Sequence, residues 1–455
     1  MNAREFALRL LQKVNEEQVL SHEALKALEQ SGLEPRDRAL ATKLVHGTLE
    51  RQLTADWILG NKTGKPVLKM KPLIRNILRL GVYQLLFLTQ IPASAVCNES
   101  VKLAKKNGLA GLAGFVNGVL RGIARDIEAA GSREQCLMHY ADAYSGNERF
   151  SFLYSVPEKL VSYYRTNYPS EAEDMFAAFL SEQGTAIRFN KSRGSMEGLK
   201  EALTKEGIPF REGLLPNTLR LLKSGSPAGA QAFQKGLFSI QDESSALAGN
   251  VIPLKKGMKV LDLCAAPGGK TVHAADELAA LGGGSVTARD LSTEKVERIR
   301  EHTERIGLHN ITLEKRDATV YDDTMCEACD VVLADLPCSG LGVIGRKPDI
   351  KWKTSLADVR TLAGLQRDIL NNAVRYVKPG GYLCYSTCTV TKEENDQNCD
   401  FLESLGFVPY DVTDAIPKPL RVRYHNGRLQ LFPQDGTDGF FIAVMQKKDG
   451  TDGQN

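Results

Sequence analysis

The sequence predicts a multidomain chain of three unlike parts. These are an all-α N-terminal domain over residues 1–135, a small α+β domain over 140–240, and an α/β domain over 241–446, followed by a polar tail at 447–455. Three observations predict this. Apolar residues recur at helical spacing through the first part. Short β-type runs surround one helix in the second. Strand and helix patterns alternate in the third. A length of 455 residues suits about three domains, and the 42% hydrophobic and 25% charged shares are those of an ordinary globular chain.

In the first part Phe6, Ala7, Leu10, Leu11 and Val14 share one helical face, as do Ala39, Leu40, Leu44 and Val45, and again Ile74, Ile77, Leu78, Leu80 and Val82. Pro35, Pro66, Pro72 and Pro92 punctuate these helices, and no strand is predicted before residue 130. Residues 147–168 read as helical with a break at Val156-Pro157. Residues 186–190, 219–222 and 237–240 read as short strands, and 199–206 as a helix ended by a turn at Gly207. Beyond residue 241, candidate strands at 260–263, 285–289, 311–314, 331–334 and 382–385 are mostly separated by helical stretches. That alternation predicts a largely parallel sheet with helices on both faces. The tail KKDGTDGQN is polar and expected to be disordered.

A formal net charge of +3 says little about partners, but its distribution says more. Between Trp57 and Asn98 there is no acidic residue, and the stretch carries Lys62, Lys65, Lys69, Lys71, Arg75 and Arg79. Clustered positive charge of this kind suits phosphate binding, so these six are candidate phosphate contacts. A solvated basic helix face is an equally weighted reading. The N-terminus lacks the apolar core of a signal peptide, and the most apolar run, 80–96, is broken by Tyr83, Gln84, Gln90 and Pro92. A cytoplasmic protein without a membrane partner is expected. Nine cysteines without a secretion signal predict reduced thiols. Cys326 and Cys329 form a CxxC that lacks a second ligand pair, so coincidence is favoured and no metal is expected.

The segment KVLDLCAAPGGK, residues 259–270, runs from an apolar strand through small residues into a helix. Ligands bind at the carboxyl ends of strands in such sheets. Gly268 and Gly269 permit close backbone approach, while Ala265 and Ala266 leave room above the loop. This loop matches neither GxxxxGK[ST] nor GxGxxG, so it is neither a P-loop nor a dinucleotide fingerprint. Asp290 ends the second strand, where a carboxylate can accept from both ribose hydroxyls of a nucleoside. Asp317 follows the third and is placed to accept from an adenine amine. A helix-cap or loop role is the bland alternative for either.

The string DLCAAPGGK resembles motif I of the RNA 5-methylcytosine methyltransferases. The resemblance implies a Rossmann-like class I methyltransferase domain with S-adenosylmethionine as cofactor. It places Cys264, Ala265, Ala266, Pro267, Gly268, Gly269 and Lys270 around the methionine part. Two more strand ends carry chemistry: ADLPCSG with Asp335, Pro337 and Cys338, and YSTCT with Thr387 and Cys388. Carbon 5 of cytosine is a poor nucleophile until a thiolate adds to carbon 6. After methylation the carbon-5 proton must leave before the thiolate can be expelled. One buried cysteine is usually a small hydrophobe, but two at neighbouring active-edge strand ends suit this two-step demand.

The pair resembles the PC and TC motifs of the same family. The resemblance assigns Cys388 as nucleophile and Cys338 as the residue aiding release. Asp335 would contact the target base beside the cofactor, oriented by Lys270. In DNA cytosine methyltransferases the PC-type cysteine attacks, so the TC cysteine marks the RNA class and argues against DNA. GVIGRKPDIKW and LFPQDGTDGFFIA extend the likeness, and IRFNKSRGS resembles the small substrate-side domain of these enzymes. ATKLVHGTLERQ, ILRLGVYQLLFL, PASAVCNESVKLAK and GFVNGVLR resemble NusB-type RNA-binding domains. The combination is similar to the bacterial 16S ribosomal RNA cytosine-5 methyltransferases of the RsmB/Sun type. It implies a monomer whose partner is RNA, 16S rRNA first and transfer RNA as the alternative. An exocyclic-amine methyltransferase would carry an NPPY-like turn where this chain has DLPC. A non-catalytic RNA-binding assembly factor would not need the motifs intact.

Overall fold

The computed structural model describes residues 1–181, 184–222 and 227–449. They form two compact units. One comprises residues 1–181 with 344–353, and the other residues 182–343 with 354–455.

The first unit is helical: α1 (Ala3–Asn15), α2 (Ser21–Lys26), α3 (Pro35–Glu50), α4 (Gln52–Thr63), α5 (Pro72–Phe87), α6 (Ala93–Lys106), α7 (Ala113–Ala130), α8 (Arg133–Ala141), α9 (Gly146–Tyr154), α10 (Glu158–Asn167) and α11 (Ala172–Phe179). Proline stands in the first turn of α3 and α5, where its missing N–H would have no intrahelical partner. The expected stripe Ala7, Leu10, Leu11 and Val14 on α1 joins Leu44 and Val45 of α3 in one core. α5 is buried without a break from Ile74 to Leu86. A helix enclosed on all sides must bury its polar positions too, and those positions then need partners.

Two of the six candidate RNA contacts fall in that run, and the structure corrects their reading. Arg79 is 2% exposed and grips Asp56 with two hydrogen bonds of 2.7 Å. Arg75 is buried and donates to Glu16 at 2.6 Å. Both guanidiniums are spent on carboxylates of the helical unit, at the margin of its core. The acid-free stretch of sequence is neutralised by residues from outside it. Lys62 pairs with Asp126, whereas Lys65, Lys69 and Lys71 are exposed around the short turn Val67–Lys69.

The α+β part, expected from residue 140, has its first strand only at Thr185. Helices α9 to α11 belong to the first unit, where Phe150, Tyr154, Tyr164 and Phe176 form an aromatic cluster. In the second unit β1 (Thr185–Phe189), α12 (Met196–Lys205), β2 (Phe210–Glu212), β3 (Thr218–Leu221), α13 (Gln231–Gln234) and β4 (Phe238–Ile240) follow. They build an antiparallel sheet ordered β2-β3-β1-β4, with Leu199 and Leu203 of α12 against Ile187, Leu219 and Phe238. Three-residue β2 is too short to show a period and was not expected.

The larger sheet follows from α14 (Glu243–Asn250), β5 (Lys259–Asp262), α15 (Gly269–Ala280), β6 (Ser285–Asp290), α16 (Thr293–Ile306), β7 (Ile311–Lys315) and β8 (Cys329–Asp335). The chain then contributes residues 344–353, with the short helix α17 (Ile350–Lys353), to the first unit. There Trp352 Nε1 donates to Leu49 O at 2.9 Å, and the Ser21 N–H donates to Asp349 at 3.0 Å. The second unit resumes with α18 (Leu356–Tyr376), β9 (Val377–Thr387), α19 (Asp396–Ser404), β10 (Phe407–Pro409), β11 (Tyr424–His425), β12 (Arg428–Leu431) and β13 (Phe440–Lys447).

The nine strands run β11-β12-β13-β9-β8-β5-β6-β7, with β10 beside β13. The five expected strands, β5 to β9, are mutually parallel. The last four are antiparallel additions. The connections 426–427 and 432–439 are too short for a crossover, so β11 to β13 can only fold back on one another. Period-2 alternation splits the core between the two faces. Val260, Val331 and Leu333 pack with α14 and α15, while Leu261, Val332 and Ala334 pack with α18 and α19. β13 extends through Lys447, and the tail beyond residue 449 lies outside the described residues.

Candidate active site

Parallel strands deliver their carboxyl ends to one edge, and the sequence-predicted residues gather there. β5 ends at Asp262 and leads into the loop 263–268, which turns sharply to start α15. Gly268 sits at φ +101°, a conformation that excludes side chains, and a Cβ there would meet Ile299 at 3.2 Å. The loop is pinned by the Ala265 N–H to Arg289 O at 2.9 Å and the Gly268 N–H to Ala265 O at 2.7 Å.

A cleft of about 230 Å³ opens above this loop, lined by Ile240, Gln241, Asp242, Ser245, Asp262, Cys264, Ala265, Ala266, Pro267, Gly269, Lys270 and Asp335. Six of the seven expected loop residues line it, and Gly268 is the exception. Gln241, Asp242 and Ser245 come from the β4–α14 junction and were not anticipated. Their signal was the Asp-Glu-Ser run QDESS, which also reads as an ordinary helix start. Asp242 does cap α14, accepting from the Ser244 N–H at 2.9 Å.

Asp262 is the most informative residue missed. It is 1% exposed, and its Oδ2 accepts from Thr271 Oγ1 at 2.6 Å. Its Oδ1 is buried with no partner among the described residues. Burial is the largest influence and pushes its carboxyl up to about 7. Asp290 is buried beside the loop. Its Oδ2 accepts from the Ala266 N–H at 2.9 Å, and its Oδ1 from the Leu291 N–H at 2.7 Å, with Lys295 at 3.0 Å. Asp317 follows β7 as expected but is exposed. Its Oδ1 accepts from the Thr319 N–H and hydroxyl at 2.9 and 2.7 Å, bonds that hold its carboxyl below the ordinary range. The loop-turn reading of Asp317 is thus realised here, and it does not line the cleft.

Asp335 ends β8 and bridges two neighbours. Lys270 Nζ lies 2.7 Å from its Oδ2, and Ser386 Oγ donates to its Oδ1 at 2.7 Å. Lys270 is itself 9% exposed and so is no solvated surface lysine. One loop beyond Asp335 stands Cys338, and at the end of neighbouring β9 stands Cys388. Their sulfurs are 3.3 Å apart and both residues are half-buried. The contact with Cys388 first, and burial second, raise the Cys338 thiol well above its usual range. The loops are zipped together by the Gly342 N–H to Cys388 O at 3.1 Å and the Gly439 N–H to Gly342 O at 2.9 Å. A Cβ on Gly342 would fall 1.9 Å from Gly439 O, so this approach requires glycine. The two late motifs after the PC and TC strings thus serve to close the cysteine loops. Cys326 is exposed while Cys329 is buried in β8. Among the described residues no His, Cys, Asp or Glu group is placed to hold a metal, and no helix is long and apolar enough to cross a membrane.

Residues 250–446 match the model of the 16S rRNA methyltransferase RsmB/F family, and residues 1–125 match that of the NusB family. A probable ribosomal RNA small subunit methyltransferase B of Bacillus subtilis is 38% identical over 98% of this chain and 99% of its own length. The chain belongs to the RsmB/F family of 16S ribosomal RNA methyltransferases. A Synechocystis relative with the same description is 32% identical over 98% of this chain and its full length. The crystal structure of PH0851 superimposes with a TM-score of 0.78 at 25% identity over 98% of both chains. That of NSun6 from Pyrococcus horikoshii with SFG superimposes with a TM-score of 0.56 at 24% identity over 64% of this chain and 98% of its own.

This RsmB/F chain is therefore an rRNA methyltransferase with a NusB-type helical domain and S-adenosylmethionine as its cofactor. The cleft fits that compound. Asp242, Asp262 and Asp335 surround it with carboxylates suited to a cation, and Asp262 Oδ1 is a buried acceptor still lacking a donor.

Proposed function

We propose that this enzyme methylates carbon 5 of a cytosine in 16S rRNA through a covalent bond from Cys388 to carbon 6. The observation that supports this most is the 3.3 Å pairing of Cys338 and Cys388 at adjacent strand ends, next to the Lys270–Asp335 pair. An exocyclic-amine methyltransferase has no use for a second sulfur there.

S-adenosylmethionine supplies an electrophilic methyl group. The chain's own residues supply the rest. The TC motif assigns the attack to Cys388, and the contact with Cys388, then burial, raise the neighbouring Cys338 thiol. Addition at carbon 6 moves the sulfur's electron pair into the new bond and makes carbon 5 nucleophilic. Asp335, oriented by Lys270 and Ser386, accepts a hydrogen bond from the cytosine amine, and the Lys270 ammonium beside it offsets the negative charge developing on the ring.

Once Cys388 is bonded, the charge and hydrogen bond that kept Cys338 protonated are gone. Its proton can pass to solvent, and the resulting thiolate takes the proton from carbon 5. The carbon 5–carbon 6 double bond re-forms and Cys388 leaves as the thiolate it began as. The target base must leave its stack to reach the half-buried sulfurs, so an unpaired cytosine is the expected substrate.

Within the helical unit, RNA contact belongs to the exposed Lys65, Lys69 and Lys71 and not to the buried Arg75 and Arg79. Bisulfite sequencing of 16S and transfer RNA after incubation with the enzyme tests the proposal. A protected cytosine arising in 16S rRNA alone is expected. Methyl incorporation without any protected cytosine would reject cytosine-5 chemistry, and protection confined to transfer RNA would reject the substrate.

A further inference from the structure

Two sulfurs on separate loops meet only if something fixes both loops. Cys388 directly follows β9, but Cys338 lies three residues past the end of β8. Behind this loop a carboxylate is enclosed. Glu394 is fully buried, in the stretch TKEEND after the TC motif. Both its oxygens are saturated with donors. Oε1 accepts from the Ser339 N–H at 2.8 Å and from Gln366 Nε2 at 3.0 Å. Oε2 accepts from Ser339 Oγ at 2.5 Å and from Thr391 Oγ1 at 2.6 Å. Ser339 Oγ also meets Thr389 Oγ1 at 2.8 Å, and Gln366 Nε2 donates to Pro337 O at 2.9 Å. Apart from Thr391, every partner in this network is next in sequence to one of the two cysteines or is the α18 side chain Gln366. Burying a carboxylate is costly unless it is fully hydrogen-bonded. A neutral, apolar filler would be the cheaper way to support a loop, so the position suggests a demand for directional bonds.

We propose that Glu394 is the positioning residue that holds the Cys338 loop against Cys388, and so governs release of the methylated base more than attack on it. The inference rests on the cytosine-5 reading above. Ser339, next in sequence to Cys338, donates two of the four bonds, one from its backbone N–H and one from its hydroxyl. Cys388 has an anchor of its own, because Asn395 accepts from Thr387 Oγ1 at 2.6 Å and donates to Thr389 O at 3.1 Å, on either side of it. Loss of Glu394 therefore frees the PC loop first and leaves the nucleophile in place. Cys338 is the group whose reach to the carbon-5 proton would fail. A displacement near 1 Å in a reacting group costs on the order of a hundredfold in rate.

The test uses the full chain with labelled substrate RNA on denaturing gels, comparing wild type with Cys338→Ala, Glu394→Ala, Glu394→Gln and Ser339→Ala. Cys338→Ala should accumulate a covalent protein–RNA band. Glu394→Ala should accumulate the same band, with kcat down by about a hundredfold and the KM for S-adenosylmethionine unchanged. Glu394→Gln keeps the acceptor facing Ser339 N–H and Gln366, and both hydroxyls can turn to accept from its amide, so it should restore most of the turnover. Ser339→Ala leaves the carboxylate three of its four donors and decides the matter if Glu394→Ala does not fold. It should show a weaker form of the same band. A trapped band in Cys338→Ala but in none of the Glu394 or Ser339 variants would overturn the positioning role alone. Absence of the band in Cys338→Ala itself would overturn the cytosine-5 reading, and the inference with it.

Discussion

The sheet edge around Cys388 and the basic stretch of residues 57–98 were both read from residues grouped in sequence, and they fared differently. At the sheet edge, residues scattered over more than 120 positions converge. Cys264, Asp335, Cys338 and Cys388 lie at or just past the ends of parallel strands, Lys270 opens the helix after β5, and the sulfurs meet at 3.3 Å. In the basic stretch six cations close in sequence disperse. Arg75 and Arg79 turn into the core toward Glu16 and Asp56, Lys62 goes to Asp126, and three lysines stay outside. A parallel sheet sends every strand end to the same side, so a strand-end motif fixes its own location. A helix turns about 100° per residue, so a run of charge spans every face and only packing decides which charges remain free.

The comparison can be broken first at the sheet edge. Cys388→Ala should abolish methyl transfer to RNA, while calorimetric titration shows S-adenosylmethionine bound with near-native affinity. Appreciable turnover by this variant would end the nucleophile assignment.

The next largest effect separates buried from exposed cations. Arg79→Ala should destabilise the first unit by about 3 kcal/mol, because it strands Asp56 beside the core. Neutralising Lys65, Lys69 and Lys71 together should leave the melting temperature unchanged. It should instead lower the slope of log affinity for RNA against log salt by about 2. Equal melting losses, or an unchanged salt slope, would erase the distinction drawn here.

A smaller effect concerns Asp262. Its folded-state carboxyl titrates near 7, raised from an ordinary value of 3.8. An acid whose pKa is raised on folding favours the native state while protonated. That contribution is complete below about pH 4 and is lost as pH rises through about 7. The ionised form suits a cationic cofactor, so S-adenosylmethionine affinity should rise between pH 6 and 8. Asp262→Asn should flatten both trends, and a wild-type profile in that variant would assign them elsewhere. Least of all should come from Cys326→Ser, which is expected to shift neither melting temperature nor activity.

Much of this was legible in the sequence, and the exceptions have physical causes. The five parallel strands were marked by apolar runs between helices, and the strand-end motifs followed from them. β10 to β13 escaped because FFIAVM in β13 is apolar at every position and carries no period, while β11 spans only two residues. Asp262 stood inside the recognised string, yet its unpaired oxygen depends on Thr271 occupying the other one. Glu394 was unreadable because its four donors come from β8's loop, α18 and the loop after β9. The small domain's start was set too early, since helices α9 to α11 read alike whether they belong to the preceding bundle or to the sheet that follows.

The covalent step is the central claim, and one measurement reaches it directly. RNA carrying 5-fluorocytosine at the target should be methylated but not released, because fluorine cannot depart as a proton does. Digestion of the trapped complex and mass spectrometry would identify the linked peptide. The account predicts the peptide containing Cys388, one nucleotide per chain. A link through the peptide containing Cys338, or no link under conditions where unmodified RNA is methylated, would contradict it.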